Sequence, residues 1–209
     1  MKASTVLRRY TELPYLIDYL ATGELFLPDP KSWDDRNDSF YLERYAELSG
    51  IDKTFALCLT EAPETYHHWK VFSSGASGVC IVFDKTKFLN AVNQIPALKA
   101  QPVKYKKMTD MRKASISKED LPFIKRYPYR DEREFRLFIA PSRPVKTGFR
   151  IAVPKTAISE IVLSPWLAKT VSDHTKSLLN KIKGRSGIKV FRSTLVDNGE
   201  WKSFGHKVK

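Results

Sequence analysis

The chain has 209 residues, 42% hydrophobic and 12% aromatic, enough for one compact domain with a real core. Lys and Arg outnumber Asp and Glu by 36 to 23, for a formal net charge of +13, and the pI is near 9.7. No apolar run approaches the roughly 20 residues that span a bilayer, and the N-terminus has no secretory h-region. A chain this basic attracts polyanions: nucleic acid, nucleotides or acidic protein.

Val6 to Tyr10 reads as a short strand. Thr11 is placed to cap a helix through Leu20, with Leu13, Leu16, Ile17 and Leu20 as its apolar stripe and Gly23 as its stop. Leu25 to Leu27 is a second strand, halted by Pro28-Asp29-Pro30. The polar stretch from Ser32 to Phe40 reads as a loop and Tyr41 to Leu48 as a helix. Asp34, Asp35 and Asp38 lack EF-hand spacing, and Asn and Asp side-chain turns explain such a loop as well as a metal does.

Phe55 to Thr60 is a strand, and Glu64 to Phe72 a short helix bearing His67, His68 and Trp69. The small residues from Ser73 to Gly78 permit close backbone approach, but they form neither a P-loop nor a dinucleotide fingerprint. Val79 to Phe83 is a strand, Thr86 to Val92 a helix, Val103 to Tyr105 a brief strand, and Ser117 to Ile124 helical. Strands follow at Phe149 to Val153, Ile158 to Leu163 and Ile188 to Arg192, with a helix from Ser172 to Lys183 between the last two. Cys58 and Cys80 lie in apolar runs and read as buried reduced thiols, which implies a cytoplasmic setting. The expected class is α+β: one domain over residues 1–209, two packed mixed or antiparallel sheets with peripheral helices, and a flexible basic tail from 200 to 209.

The segment from Glu132 to Ile139 alternates with period two. Glu132, Glu134 and Arg136 fall on one face of the expected strand, and Phe135, Leu137 and Ile139 on the other. Two carboxylates so close raise the pKa of one of them, as a reactive site needs. The competing account is an ion-pair ladder in which Arg133 and Arg136 neutralise the two glutamates. Basic residues cluster from Lys99 to Lys125 and from Lys169 to Lys209, the first cluster interleaved with aromatics. Lys104, Lys106, Lys107, Arg112, Lys125 and Arg126 are therefore candidate nucleic-acid contacts.

The order of short motifs resembles the bacterial and phage family called domain of unknown function 2971. Leu7-Arg8-Arg9-Tyr10, Asn37-Asp38-Ser39-Phe40, Cys58-Leu59-Thr60, Trp69-Lys70-Val71-Phe72, Gly78-Val79-Cys80-Ile81 and Glu132-Arg133-Glu134-Phe135-Arg136 carry it, across residues 6 to 165. Ser39, Phe72 and Phe135 depart from that family's proline, tyrosine and tryptophan.

A basic first strand, a hydroxyl on a middle strand and a glutamate on a late strand also resemble the layout of ADP-ribosyltransferases. That resemblance implies NAD as cofactor and substrate, an acceptor that is nucleic acid or acidic protein, and a phage or defence setting. It implies Arg8 or Arg9, with Tyr10, at the adenosine side and Thr60 at the nicotinamide ribose. Glu134 would be the catalytic acid with Glu132 beside it, and Tyr66 or Trp69 would stack on a ring of NAD. The alternatives are a non-enzymatic basic module that binds nucleic acid or inhibits a complex handling it, and a metal-dependent nuclease using the aspartates. A transferase needs Arg8, Thr60 and Glu134 within about 12 Å of one another, since one NAD must reach all three.

Overall fold

The computed structural model describes residues 4–207 apart from 74, 144, 146, 147 and 184–186. The expected tail falls partly outside them, at 208–209, and so does Ser74 of the small-residue stretch. The first strand, β1 (Val6–Glu12), runs directly into α1 (Leu13–Thr22), where Pro14 sits in the first turn and Glu12 stands at the N-cap position expected for Thr11. Gly23 ends α1 in the left-handed region at φ 76°, as its position predicts. The buried face of α1 is Leu16, Tyr19 and Leu20; Ile17, expected in the stripe, is exposed.

After β2 (Glu24–Leu27), the polar stretch read as a loop is largely helix: α2 spans Arg36–Ser49. Asp35 caps it by accepting from the backbone N–H groups of Asn37 and Asp38, and Asp38 adds an acid to the first turn. Those signals were in the sequence; the charge density obscured them.

The chain continues through β3 (Phe55–Thr60), α3 (Tyr66–Phe72), β4 (Gly78–Asp84), α4 (Lys85–Val92), β5 (Lys99–Pro102), β6 (Lys104–Lys106) and the single-turn α5 (Met108–Met111). A 3-10 stretch at Lys118–Phe123 precedes β7 (Ile124–Arg126), and another at Tyr127–Glu132 precedes β8 (Glu134–Ile139). The remaining elements are β9 (Phe149–Ala152), β10 (Ile158–Leu163), α6 (Lys169–Lys183), β11 (Lys189–Arg192) and α7 (Gly199–Gly205). The expected tail thus begins inside α7.

The class is α+β with a mixed sheet. Seven strands form that sheet in the order β11-β10-β4-β1-β3-β8-β5, antiparallel throughout except for the parallel β10/β11 pair. The second sheet is only the β2/β9 ribbon; it packs on the first through Leu25, Leu27 and Ile151, against Phe55, Leu57 and Ile81. A third pair, β6/β7, stands apart from both.

Alternation sends Leu7, Leu57, Leu59, Ile81, Phe83, Phe135, Leu137 and Ile139 into the main core, under α1, α4 and α6. Each such side chain contributes roughly 1.5–3 kcal/mol by leaving water. The opposite face of the same strands carries Tyr10, Cys80, Val82 and Val162 with Trp69 from α3. On that face, where β1, β3 and β8 run side by side, the polar residues gather. No described helix is long and apolar enough to cross a membrane.

Candidate active site

Arg8 pairs with Thr60 across β1/β3, and Thr60 pairs with Glu134 across β3/β8. Directly paired residues point to the same face, and neighbouring strands lie about 4.8 Å apart. The three backbones therefore span about 10 Å in one row, inside the limit of about 12 Å. β8 is an interior strand, with β3 on one side and β5 on the other.

The carboxylates reach this place differently from the expectation. The alternating strand begins at Glu134; Glu132 belongs to the preceding 3-10 turn. Arg133 between them is left-handed at φ 44°, ψ 48°, a conformation that costs a non-glycine residue roughly 1–2 kcal/mol. That kink, with no help from strand alternation, brings both carboxylates onto one cation. Lys125 Nζ donates to Glu132 Oε2 at 2.7 Å and to Glu134 Oε2 at 3.2 Å.

A second cation closes the network. Arg136 donates from Nε to Glu134 Oε1 at 2.7 Å and forms a two-pronged pair with Asp38, at 2.8 and 2.6 Å. It also donates to the Pro122 carbonyl at 2.9 Å. The expected ladder is thus half right: Arg136 does neutralise Glu134, but Lys125 takes the place given to Arg133. Asp38, read as part of a polar loop, is the buried partner of Arg136. Among the described residues no group of three or more His, Cys, Asp or Glu is positioned to hold a metal ion.

The two glutamates titrate apart. Burial pushes the Glu132 carboxyl up, against the opposing pull of Lys125. Burial acts on Glu134 the same way, but Arg136 and Lys125 together outweigh it and hold that carboxyl down at about 2. One acid is thus kept ionised while its neighbour holds a proton more readily, the separation of roles that acid–base sites exploit. The Cys58 thiol beside Glu134 is pushed well up, first by burial and then by that carboxylate.

The supporting contacts fix Glu132. The Thr60 hydroxyl donates to the Glu132 carbonyl at 2.5 Å while accepting from the Ala62 N–H. The Thr65 hydroxyl accepts the His68 backbone N–H as the cap of α3, so its proton is free for His68 Nδ1, 2.5 Å away. That leaves the proton on Nε2, which donates to the same Glu132 carbonyl at 3.3 Å. Burial lowers the His68 pKa and keeps the ring neutral. In the sequence His68 stands out only as one of the residues borne on that short helix.

The expected ligand contacts fare unevenly. Arg8 lines the cleft and donates to the Ala62 carbonyl at 2.9 Å; Arg9 points its guanidinium at the Cys58 carbonyl, 3.0 Å away. Thr60 lines the cleft too, but both directions of its hydroxyl are already engaged within the protein. Tyr10 is buried, stacked over His68 with ring centroids 5.5 Å apart.

Trp69 is corrected outright: it is fully buried, its indole N–H donates to Glu64, and Tyr10 meets it edge-on. No ring face is left for a ligand. Tyr66 is exposed but packs against Trp166 and Lys70, away from the cleft lining. Among the expected nucleic-acid contacts, Lys125 is corrected as well, being 8% exposed and engaged by the acids. Lys104 pairs with Asp120, and Lys107 lies over the Tyr127 ring. Lys106 and Arg126 line a separate groove, and Arg112 is exposed.

Arg8, Arg9, Tyr10, Thr60, Glu132 and Glu134 line a cleft of about 40 Å³, room for two or three waters. Arg9 also reaches a cavity of about 150 Å³ on the core face, lined by Thr11, Tyr15 and Phe26.

No family model matches the chain, and no curated protein matches it. The likeness to domain of unknown function 2971 stays with the motifs that suggested it. Solved structures of DarT from Thermus sp. 2.9 are similar to this chain. The complex with ADP-ribosylated single-stranded DNA has a TM-score of 0.46 and 11% identity, covering 91% of this chain and 94% of that one. The complex with carba-NAD+ has a TM-score of 0.46 and 10% identity, covering 92% and 97%. The complex with NAD+ has a TM-score of 0.46 and 12% identity, covering 91% and 96%.

Proposed function

We propose that the chain is an ADP-ribosyltransferase-like enzyme that draws on NAD to modify a nucleic-acid or acidic-protein acceptor. One observation carries this reading: Arg8, Thr60 and Glu134 stand in a single row on one face of β1, β3 and β8, beside a cleft. NAD, when bound, supplies an ADP-ribosyl group on a nicotinamide leaving group. The donor set suits it in kind: a guanidinium for the pyrophosphate and a carboxylate for the ribose. It does not suit it in size, since a cleft of about 40 Å³ must widen before a ribose enters.

Glu134 remains an anion at neutral pH because Arg136 and Lys125 hold its proton off. An oriented carboxylate beside a carbon that gains positive charge stabilises that charge, and the water-poor surroundings strengthen the effect. Glu132, with its raised pKa, is the group suited to take a proton from an acceptor. Thr60 and His68 act through the Glu132 carbonyl, so the role of Thr60 shifts from ribose contact to positioning. The test is incubation with labelled NAD plus single-stranded DNA, RNA or total protein. Glu134→Gln should abolish label transfer while circular dichroism stays unchanged; transfer that survives the substitution sinks the proposal.

A second reading is favoured by the engagement of both carboxylates by Lys125 and Arg136. A network so closed is also a structural brace, and the chain is then a basic nucleic-acid-binding or inhibitory module. Steep salt-dependent binding that needs no NAD and ignores Glu134→Gln, with no turnover, supports that reading.

A further inference from the structure

Beyond Lys125, on the side away from the acids' cleft, lies a groove of about 600 Å³ between the start of α2, β6, α5 and β7. Lys125 lines both spaces. Three further cations line the groove: Arg36, Lys106 and Arg126. None of them has an ion-pair partner among the described residues, whereas nearby Lys99 and Lys104 are paired with Glu119 and Asp120. Among the described residues no acid lines the groove. Its apolar wall is open to solvent: Phe40 is 58% exposed and Met108 56%, with Tyr41 next to Phe40 at 6.0 Å between ring centroids.

We propose that this groove binds an unpaired strand of nucleic acid, with phosphates on the three cations and a base lodged against Phe40, Tyr41 and Met108. The volume is that of a nucleotide-sized pocket. Cations alone would serve any polyanion, but exposed aromatic and thioether faces gain nothing from carboxylates. They gain from a base whose face is free, as it is in a single strand and is not inside a duplex. The shared Lys125 wall sets a strand in this groove beside Glu132 and Glu134; that clause alone rests on the transferase reading and makes the groove the acceptor side.

The probe is a fluorescein-labelled oligo(dT) of about 12 nucleotides, a length that spans a typical single-strand site, followed by anisotropy without NAD. Phe40→Ala should weaken binding about 5- to 150-fold, the value of one base stack. Arg36→Ala with Arg126→Ala should weaken it further and flatten the salt dependence by about 1.4 in log–log slope, two phosphates' worth. Trp201→Ala, an exposed residue of α7 outside the groove's lining, serves as the control and should change nothing. The proposal is overturned if a hairpin duplex or poly-glutamate binds as tightly as the single strand, or if Phe40→Ala binds normally. Strand binding without NAD turnover upholds the groove and sinks only the enzymatic reading; NAD turnover without strand binding sinks only the groove.

Discussion

Lys125 and Arg126 are neighbours on β7 and meet opposite fates. Lys125 turns inward and is shared by Glu132, Glu134 and Asp38, while Arg126 turns outward into a groove without acids. The inner cluster holds three acids and two bases, a formal net charge of −1 with all five ionised. The groove carries unpaired positive charge. A formal excess of +13 is therefore no guide to which lysine faces a ligand. Strand alternation and burial divide the charge into a part that organises the interior and a part that acts on solution.

The contrast can be broken from either side. The largest effect is expected for Arg136→Met, which leaves Asp38 and Glu134 buried without their main partner. Denaturant unfolding should show a loss of about 3–5 kcal/mol. Lys125→Met should cost less, about 2–3 kcal/mol, because Glu134 keeps Arg136 while Glu132 loses its cation. Retention of full stability by both variants would show that the acids do not depend on these cations.

The pH dependence sharpens the same point. Glu134 has a folded pKa of about 2 against an ordinary 4.5. The unfolded chain thus binds the proton first, and the stability Glu134 contributes is complete above 4.5 and lost as pH falls toward 2. Glu132 is shifted upward, so its contribution runs the other way and declines as pH rises through its ordinary value. Thermal melts should show a shallower acid limb for Glu134→Gln and a steeper one for Glu132→Gln. Equal limbs would mean the two carboxylates are not distinguished by the network.

Arg133→Gly removes the left-handed cost and adds chain entropy to the unfolded state. The net change should stay within about 1 kcal/mol, on the stabilising side. The smallest effect is expected in the groove: Arg36→Ala and Arg126→Ala should each alter stability by no more than about 0.5 kcal/mol, because neither is paired. A larger loss in calorimetry would mean that these arginines brace the fold.

The apolar periods of the strands, Gly23 as a helix stop and the core side of Phe135, Leu137 and Ile139 could all be read along the chain, because they depend on residues a few positions apart. So could the α+β class; the row of Arg8, Thr60 and Glu134 was only what the resemblance to ADP-ribosyltransferases implied, and strand order decides it. The start of α2 was legible too, through Asp35 as a cap, but the acids around it read more readily as a loop.

Burial and partnership were decided only by the tertiary structure. Asp38 and Arg136 stand 98 positions apart and meet in the core. Trp69 loses its role as a stacking platform because Tyr10 and Glu64 enclose it. Glu132 joins Glu134 through a backbone kink that no alternation pattern encodes. A local pattern records which face a side chain prefers; what that face meets depends on strand order, which brings distant segments together.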